Sequence, residues 1–137
     1  MNKQQLSNFI NQYTHCFKTY DLNALKNHYK LGCTLSTPDK LVLIETETDF
    51  ACEFEQIFTQ LKAANTANFL FSNISYTRLN TSTIVLGGTW VFSNNLKEAF
   101  AEFYACYHLI KENEKIKIIS VVSHDISNAI VFAEKLA

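Results

Sequence analysis

Between Phe69 and His124 the chain carries four long runs rich in β-branched and aromatic residues, separated by short gaps of Asn, Ser, Glu and Lys. The runs are Phe69–Leu79, Thr83–Phe92, Lys97–Ile110 and Lys115–His124. Their composition reads as strand, and consecutive strands with short gaps make an antiparallel meander that must lay one face on something apolar. Gly87-Gly88 falls in the middle of the second run. Paired glycines permit a bulge or bend, so the sheet is expected to curve.

The residues before Phe69 supply the cover. Leu6, Phe9, Ile10, Tyr13, Phe17 and Tyr20 recur at steps of three and four, the stripe of an amphipathic helix. Asp21 is a good N-cap for a second, shorter helix, with Leu22, Leu25 and Tyr29 facing inward and Gly32 as its stop. Cys33–Thr37 and Leu41–Ile44 read as short strands flanking the Pro38-Asp39 turn, since proline cannot donate to a ladder. Thr46 or Thr48 caps a third helix, Glu47 and Asp49 complement its dipole, and Phe50, Phe54, Ile57, Phe58 and Leu61 form its stripe. Asn65 tolerates the left-handed backbone that ends such a helix. After Asp125 the apolar residues Ile126, Ile130, Val131, Phe132 and Leu136 make a short helix or an extended cover strip. No repeat or linker divides the 137 residues. The expectation is a single α+β domain over 1–137, with helices on one side of a curved sheet and a hollow at its open end.

Charge narrows the function classes. Twelve Lys and Arg against thirteen Asp and Glu give a net charge of −1, so no electrostatic footprint for nucleic acid or anionic lipid exists. No window approaches the roughly 18 consecutive apolar residues of a bilayer span, and MNKQQLSNF has no apolar leader core. Cytoplasm is therefore expected, without membrane or nucleic-acid partners. Cys16, Cys33, Cys52 and Cys106 are widely spaced and read as reduced thiols rather than disulfides or zinc ligands. No His or carboxylate pair shows ligand spacing on one element, and no glycine-rich phosphate loop appears, so neither metal nor cofactor is expected.

Aromatics are abundant, with eleven Phe and six Tyr. In the third run both faces are apolar: Phe103, Ala105, Tyr107 and Leu109 on one, Phe100, Tyr104, Cys106 and Ile110 on the other. A sheet apolar on both faces, with helices on only one, implies a partner on the second; a symmetric homodimer is the economical answer.

The segments FKTYDLNALKNHY, CTLSTPDK and FACEFEQIFTQL, followed by the long strands, resemble the nuclear transport factor 2-like superfamily. This is the cone-shaped fold shared by ketosteroid isomerases, scytalone dehydratase and SnoaL-like polyketide cyclases, and the likeness runs from about Leu6 to Asp125. It implies a curved antiparallel sheet packed on three N-terminal helices and a homodimer through the sheet face. It also allows a test of activity by position. Ketosteroid isomerases keep a tyrosine donor on the first helix, and Tyr13 stands at the matching place. They keep a general-base aspartate just before the proline that follows the first strand. The dipeptide here is Thr37-Pro38, and a threonine cannot take a proton from carbon at neutral pH. Their protonated third-strand aspartate is matched here by Cys106. Two of the three groups are gone, so this chain is not expected to be a ketosteroid isomerase.

If Cys106 matches a cavity position, Tyr104, Cys106 and His108 alternate onto the inward face. His108 is then the best single candidate for a general acid or base. The plainer reading is a half-buried, inert histidine, and Tyr13 has its own plain reading as a core tyrosine whose hydroxyl reaches an edge. His124 and Asp125 are neighbours on a strand, so they point to opposite faces and cannot readily form a dyad. The expected function is binding of a small apolar or aromatic organic ligand in a mostly apolar pocket without assembled acid–base machinery. Its lining is expected from Tyr13, Tyr29, Thr37, Phe54, Phe58, Trp90, Tyr104, Cys106 and His108, with Trp90 dependent on hairpin register. The alternative is a cofactor-independent isomerase, dehydratase or cyclase with His108 as base and Tyr13 as donor. A third reading is an assembly module whose pocket is closed by side chains.

Overall fold

A computed structural model describes residues 1–136. In chain order they form α1 (Lys3–Lys18), α2 (Leu22–Lys26), β1 (Tyr29–Ser36), β2 (Leu41–Ile44), α3 (Glu47–Ala63), β3 (Thr66–Asn80), β4 (Thr83–Asn94), β5 (Ala99–Glu112) and β6 (Lys115–His124). A single 3-10 turn at Ile126–Asn128 then leads to β7 (Glu134–Lys135). The fold is α+β: a curved, unclosed sheet with helices against it. Its strand order is β2-β1-β6-β5-β4-β3-β7. The expected meander is its centre, from β3 to β6. Parallel pairing of β1 with β6 extends one side and antiparallel pairing of β7 with β3 extends the other.

Local chemistry sets the helix ends. Asn2 accepts from the backbone N–H of Gln5 while the Gln5 side chain accepts from Asn2, a capping box that satisfies two otherwise unpaired donors. Thr46 and Asp49 do the same for α3, so Thr46 rather than Thr48 is its cap. Asn65 follows at φ 55°, in the left-handed conformation expected of it. The second helix departs from expectation. It ends at Lys26, and Tyr29 is not on its inner face but opens β1. Gly32 is not a helix stop either. It sits inside β1 at φ 90°, where the register against β6 shifts between Tyr29 and Thr34, a backbone state that glycine adopts at no steric cost. Lys97, expected to begin the third meander strand, lies in the β4–β5 turn at φ 64°, and β5 starts at Ala99.

Curvature arises beside the glycine pair rather than in it. β4 keeps register with β5 through Gly87 and Gly88, whereas β3 carries the irregularity between Ser72 and Ser75, with Asn73 at φ 53°. What the glycines provide is clearance for rings on both sides. A Cβ on Gly88 would stand 2.8 Å from the Phe71 ring, and one on Gly87 would stand 1.8 Å from the Tyr104 hydroxyl.

The tail is the extended cover strip, not a helix. It crosses the side of the sheet away from the helices, where the Tyr104 hydroxyl donates to the Ile130 carbonyl at 3.0 Å. It then docks on β3 through Phe132 N–H to the Ser75 hydroxyl at 2.9 Å and Leu136 N–H to the Ile74 carbonyl at 3.0 Å.

Candidate functional site

α1 and α3 close over the inner face of the sheet and leave a cavity of about 160 Å³ between them. Its floor is aromatic and buried: Tyr13 from the α1 stripe, Tyr29 from the start of β1, Trp90 from β4 and Tyr107 from β5. Its mouth is half-exposed and includes Glu53 of α3, Phe103 of β5 and Ser123 of β6, with Thr37 at the β1–β2 turn. Hairpin register, opposing Trp90 to Phe103, delivers the indole to this side.

The floor rings meet at tilted and edge-to-face angles that suit their quadrupoles. From the Tyr13 ring the centroids lie at 5.5 Å for Tyr107, 6.1 Å for Tyr29 and 6.3 Å for Trp90. Their polar atoms pair off. The Trp90 Nε1–H donates to the Tyr107 hydroxyl at 2.9 Å, and the Tyr13 and Tyr29 hydroxyls bond at 2.7 Å. Burial pushes the Tyr13 and Tyr29 phenols well above their ordinary range and Tyr107 up to about 12. All three are therefore neutral donors at physiological pH.

The mouth has different chemistry. Glu53 Oε1 is 3.1 Å from the Lys40 ammonium, and its side chain is only 15% exposed. The Thr37 hydroxyl accepts from the Asp39 and Lys40 N–H groups at 3.3 and 3.2 Å, so it holds the β1–β2 turn.

Of the residues singled out in the sequence, Tyr13, Tyr29, Thr37, Phe54 and Trp90 stand along this cavity. Phe58 is buried elsewhere on α3, edge-on to Phe17 and Tyr20 at 5.9 and 5.3 Å. Tyr104, Cys106 and His108 do not face inward. On β5 the inward set is Phe103, Ala105, Tyr107 and Leu109, fixed by the packing of Tyr107 on Tyr13, and the alternate residues take the opposite face. Matching Cys106 to a cavity position was out by one residue, and a one-residue slip turns a whole strand over. Tyr104 instead stacks on His124 at 4.9 Å and reaches the tail. His108 lies between Val85 and Ser120, and its Nε2 is buried without a partner among the described residues. His108 and Tyr13 are thus on opposite sides of β5 and do not converge. His124 and Asp125 form no dyad: the imidazole Nδ1–H donates to the Asp125 backbone carbonyl at 3.0 Å, while that carboxylate caps the following turn through Ser127 N–H at 2.8 Å.

Sequence reasoning missed Tyr107 and Glu53. For Tyr107 a signal existed: its alternating set on β5 lacks the Cys and His of the other set, and the more apolar set belongs to the core. For Glu53 the signal was faint, a single carboxylate four residues before Ile57 at the border of the α3 stripe.

Among the described residues no group of three or more His, Cys, Asp or Glu could hold a metal ion, and no helix is long and apolar enough to cross a membrane. No curated protein matches the chain. Solved structures do. An NTF2-like protein with a cystatin-like fold from Novosphingobium aromaticivorans superposes with a TM-score of 0.75 at 10% identity, over 92% of this chain and 82% of its own. An NTF-2 like protein of unknown function from Shewanella oneidensis MR-1 gives 0.70 at 16% identity, over 91% of this chain and all, 100%, of its own. A protein of unknown function with a cystatin-like fold from Nostoc punctiforme gives 0.70 at 11%, over 89% of each chain. At such identities the likeness shows the fold alone. The family described as NTF2-like protein (DUF6841) matches residues 3–126. The chain belongs to that family.

Proposed function

We propose that residues 1–137 work as one NTF2-like binding domain, a cytoplasmic homodimer whose cone cavity takes a small apolar or aromatic organic molecule without transforming it. One observation carries this reading: the buried polar groups of the floor are three neutral phenols and an indole, which can donate but cannot accept a proton from carbon at neutral pH. Glu53, the carboxylate among the lining residues, stands at the mouth and is paired with Lys40. His108, the imidazole that a dehydratase-like reaction would need, is on the far face.

The dimer reading is supported by that far face. Leu41 and Leu43 on the edge strand β2 and Val122 on β6 are 70%, 53% and 42% exposed. A second copy would cover them symmetrically. The free thiols of Cys16, Cys33, Cys52 and Cys106 suit a reducing compartment.

The test is ligand-observed NMR of the full chain with a set of small carbonyl compounds followed over hours. Saturation transfer to at least one compound, with its spectrum unchanged, is expected. A product spectrum that grows with protein concentration would overturn the non-catalytic reading. Sedimentation should show a dimer that Val122→Glu converts to monomer; a monomeric wild type would remove the dimer.

A further inference from the structure

We infer that the cavity selects a single-ring molecule with a hydrogen-bond acceptor at its buried end and a donor at its outer end, the acceptor meeting the tyrosine hydroxyls and the donor meeting Glu53. This rests on the binding reading above and specifies its ligand class.

Size gives the ring count. The cavity measures about 160 Å³, and an apolar cavity of about 150 Å³ is one that takes a single benzene. One six-membered ring therefore fills the walled part, and the second ring of a fused pair would have to stand out of the mouth.

Hydrogen-bond inventory gives the buried end. The Trp90 N–H and the hydroxyls of Tyr13, Tyr29 and Tyr107 are four donors, joined by two hydrogen bonds: Trp90 to Tyr107, and Tyr13 with Tyr29. Indole nitrogen only donates, and each hydroxyl has one proton. However the pairs are oriented, two O–H groups are left over, that of Tyr107 and one of the Tyr13–Tyr29 pair, and all three residues line the cavity. A donor in an apolar cavity without an acceptor is costly, so an incoming oxygen or nitrogen lone pair is favoured at that end.

The outer end has the opposite need. Glu53 Oε1 is occupied by Lys40, whereas Oε2 has no hydrogen-bond partner among the described residues. Phe54 and Ile57 of the same helix line the cavity with apolar groups. A hydroxyl or amine on the outer edge of the ring would complete it, and such a charge-assisted bond is stronger than a neutral one. A molecule inserted the other way round would leave a spare phenol proton without an acceptor inside and set its own acceptor against the carboxylate outside. The cavity is therefore polarised as well as small.

The test uses isothermal titration of the full chain with five probes: 4-hydroxybenzonitrile, p-cresol, benzonitrile, benzene and 6-hydroxy-2-naphthonitrile. The first carries both groups and is expected to bind tightest. The single hydroxyl of p-cresol can serve either end but not both at once, and benzonitrile lacks the outer donor, so each should bind about tenfold more weakly. The two-ring nitrile should not bind. Glu53→Met should lower affinity for 4-hydroxybenzonitrile about tenfold and leave benzonitrile unchanged. Equal affinity for p-cresol and 4-hydroxybenzonitrile would overturn the acceptor end, and an unaffected Glu53→Met variant would overturn the donor end. Tight binding of the naphthonitrile would overturn the ring count. If none of the five binds, it is the binding reading itself that falls.

Discussion

The two faces of β5 share a backbone and differ in how their polar atoms are satisfied. Inside, Tyr107 is held by the Trp90 N–H at 2.9 Å and by ring contacts to Tyr13 and Phe71 at 5.5 and 5.7 Å. Outside, one residue later, His108 has a buried Nε2 with no partner among the described residues, and Tyr104 is satisfied only by the tail. The inner set is closed by its own fold. The outer set depends on the tail laid over it. Alternation with period two thus divides one strand into a self-sufficient face and a dependent one.

The largest effect should come from breaking the closed face. Tyr107→Ala removes a buried ring and leaves the Trp90 N–H without its acceptor, a loss of about 3–5 kcal/mol in urea unfolding. Tyr104→Ala, outside, removes an equally buried ring but strands no donor, since the half-exposed Ile130 carbonyl can turn to water, so it should cost less by about the 1–3 kcal/mol of the orphaned indole N–H. Equal losses would erase the contrast between the faces.

Next is the alkaline limb. The unfolded chain releases phenolic protons near pH 10, whereas Tyr107 holds its proton until about 12. Between those values the folded state binds more protons, so the stability this group contributes is fully present below pH 10 and is lost as pH rises toward 12. For Tyr107 alone that is about 2–3 kcal/mol, and Tyr13 and Tyr29 are shifted in the same direction by the same burial. Unfolding free energy measured across this range should fall steeply, and the Tyr13, Tyr29 and Tyr107 ring signals followed by NMR should show phenolate only with unfolding. Phenolate signals from these three rings in the folded state near pH 10 would show that the inner face is open to water.

Much of this was legible in the residues, and the failures share a cause. The α1 stripe, the capping threonine of α3, Asn65 and the four meander strands are local signals, decided within a few positions, and the structure follows them. Which side of β5 looks inward is not local. Both alternating sets are apolar enough to be core, so the choice is made by α1, whose Tyr13 selects Tyr107 across about a hundred residues of chain. Gly32 failed for the same kind of reason. A glycine after a short helix reads as a stop, and only the parallel pairing of β1 with β6 turns it into a strand irregularity. Glu53 became visible as a site residue only when β1 and β6 brought Thr37 and Ser123 alongside it.

The tail's hold on the outer face can be sharpened at Gly87. A Cβ there would meet the Tyr104 hydroxyl at 1.8 Å and its Cζ at 2.5 Å, so Gly87→Ala must drive the ring off the strand and away from the Ile130 carbonyl. Overpacking of this kind costs about 1–3 kcal/mol. Because the clash is with the end of one side chain, Tyr104→Ala in the same background should recover most of it, a non-additivity that a double-mutant cycle measures. Additive losses would mean that the alanine strains the backbone of β4 and that Tyr104 is incidental.

The smallest expected effect is the one that tests the dependent face most directly. A buried polar atom without a partner costs about 1–3 kcal/mol, and replacing it with an apolar group of suitable shape removes that cost. His108→Val puts a β-branched residue at a strand position. Measured on the monomer, it should leave stability unchanged or raise it by about 1 kcal/mol, because nothing among the described residues bonds Nε2 and the atom is already buried within one chain. A loss of stability in the monomer would show that the imidazole is already satisfied within one chain, and the outer face of β5 would then be as closed as the inner one.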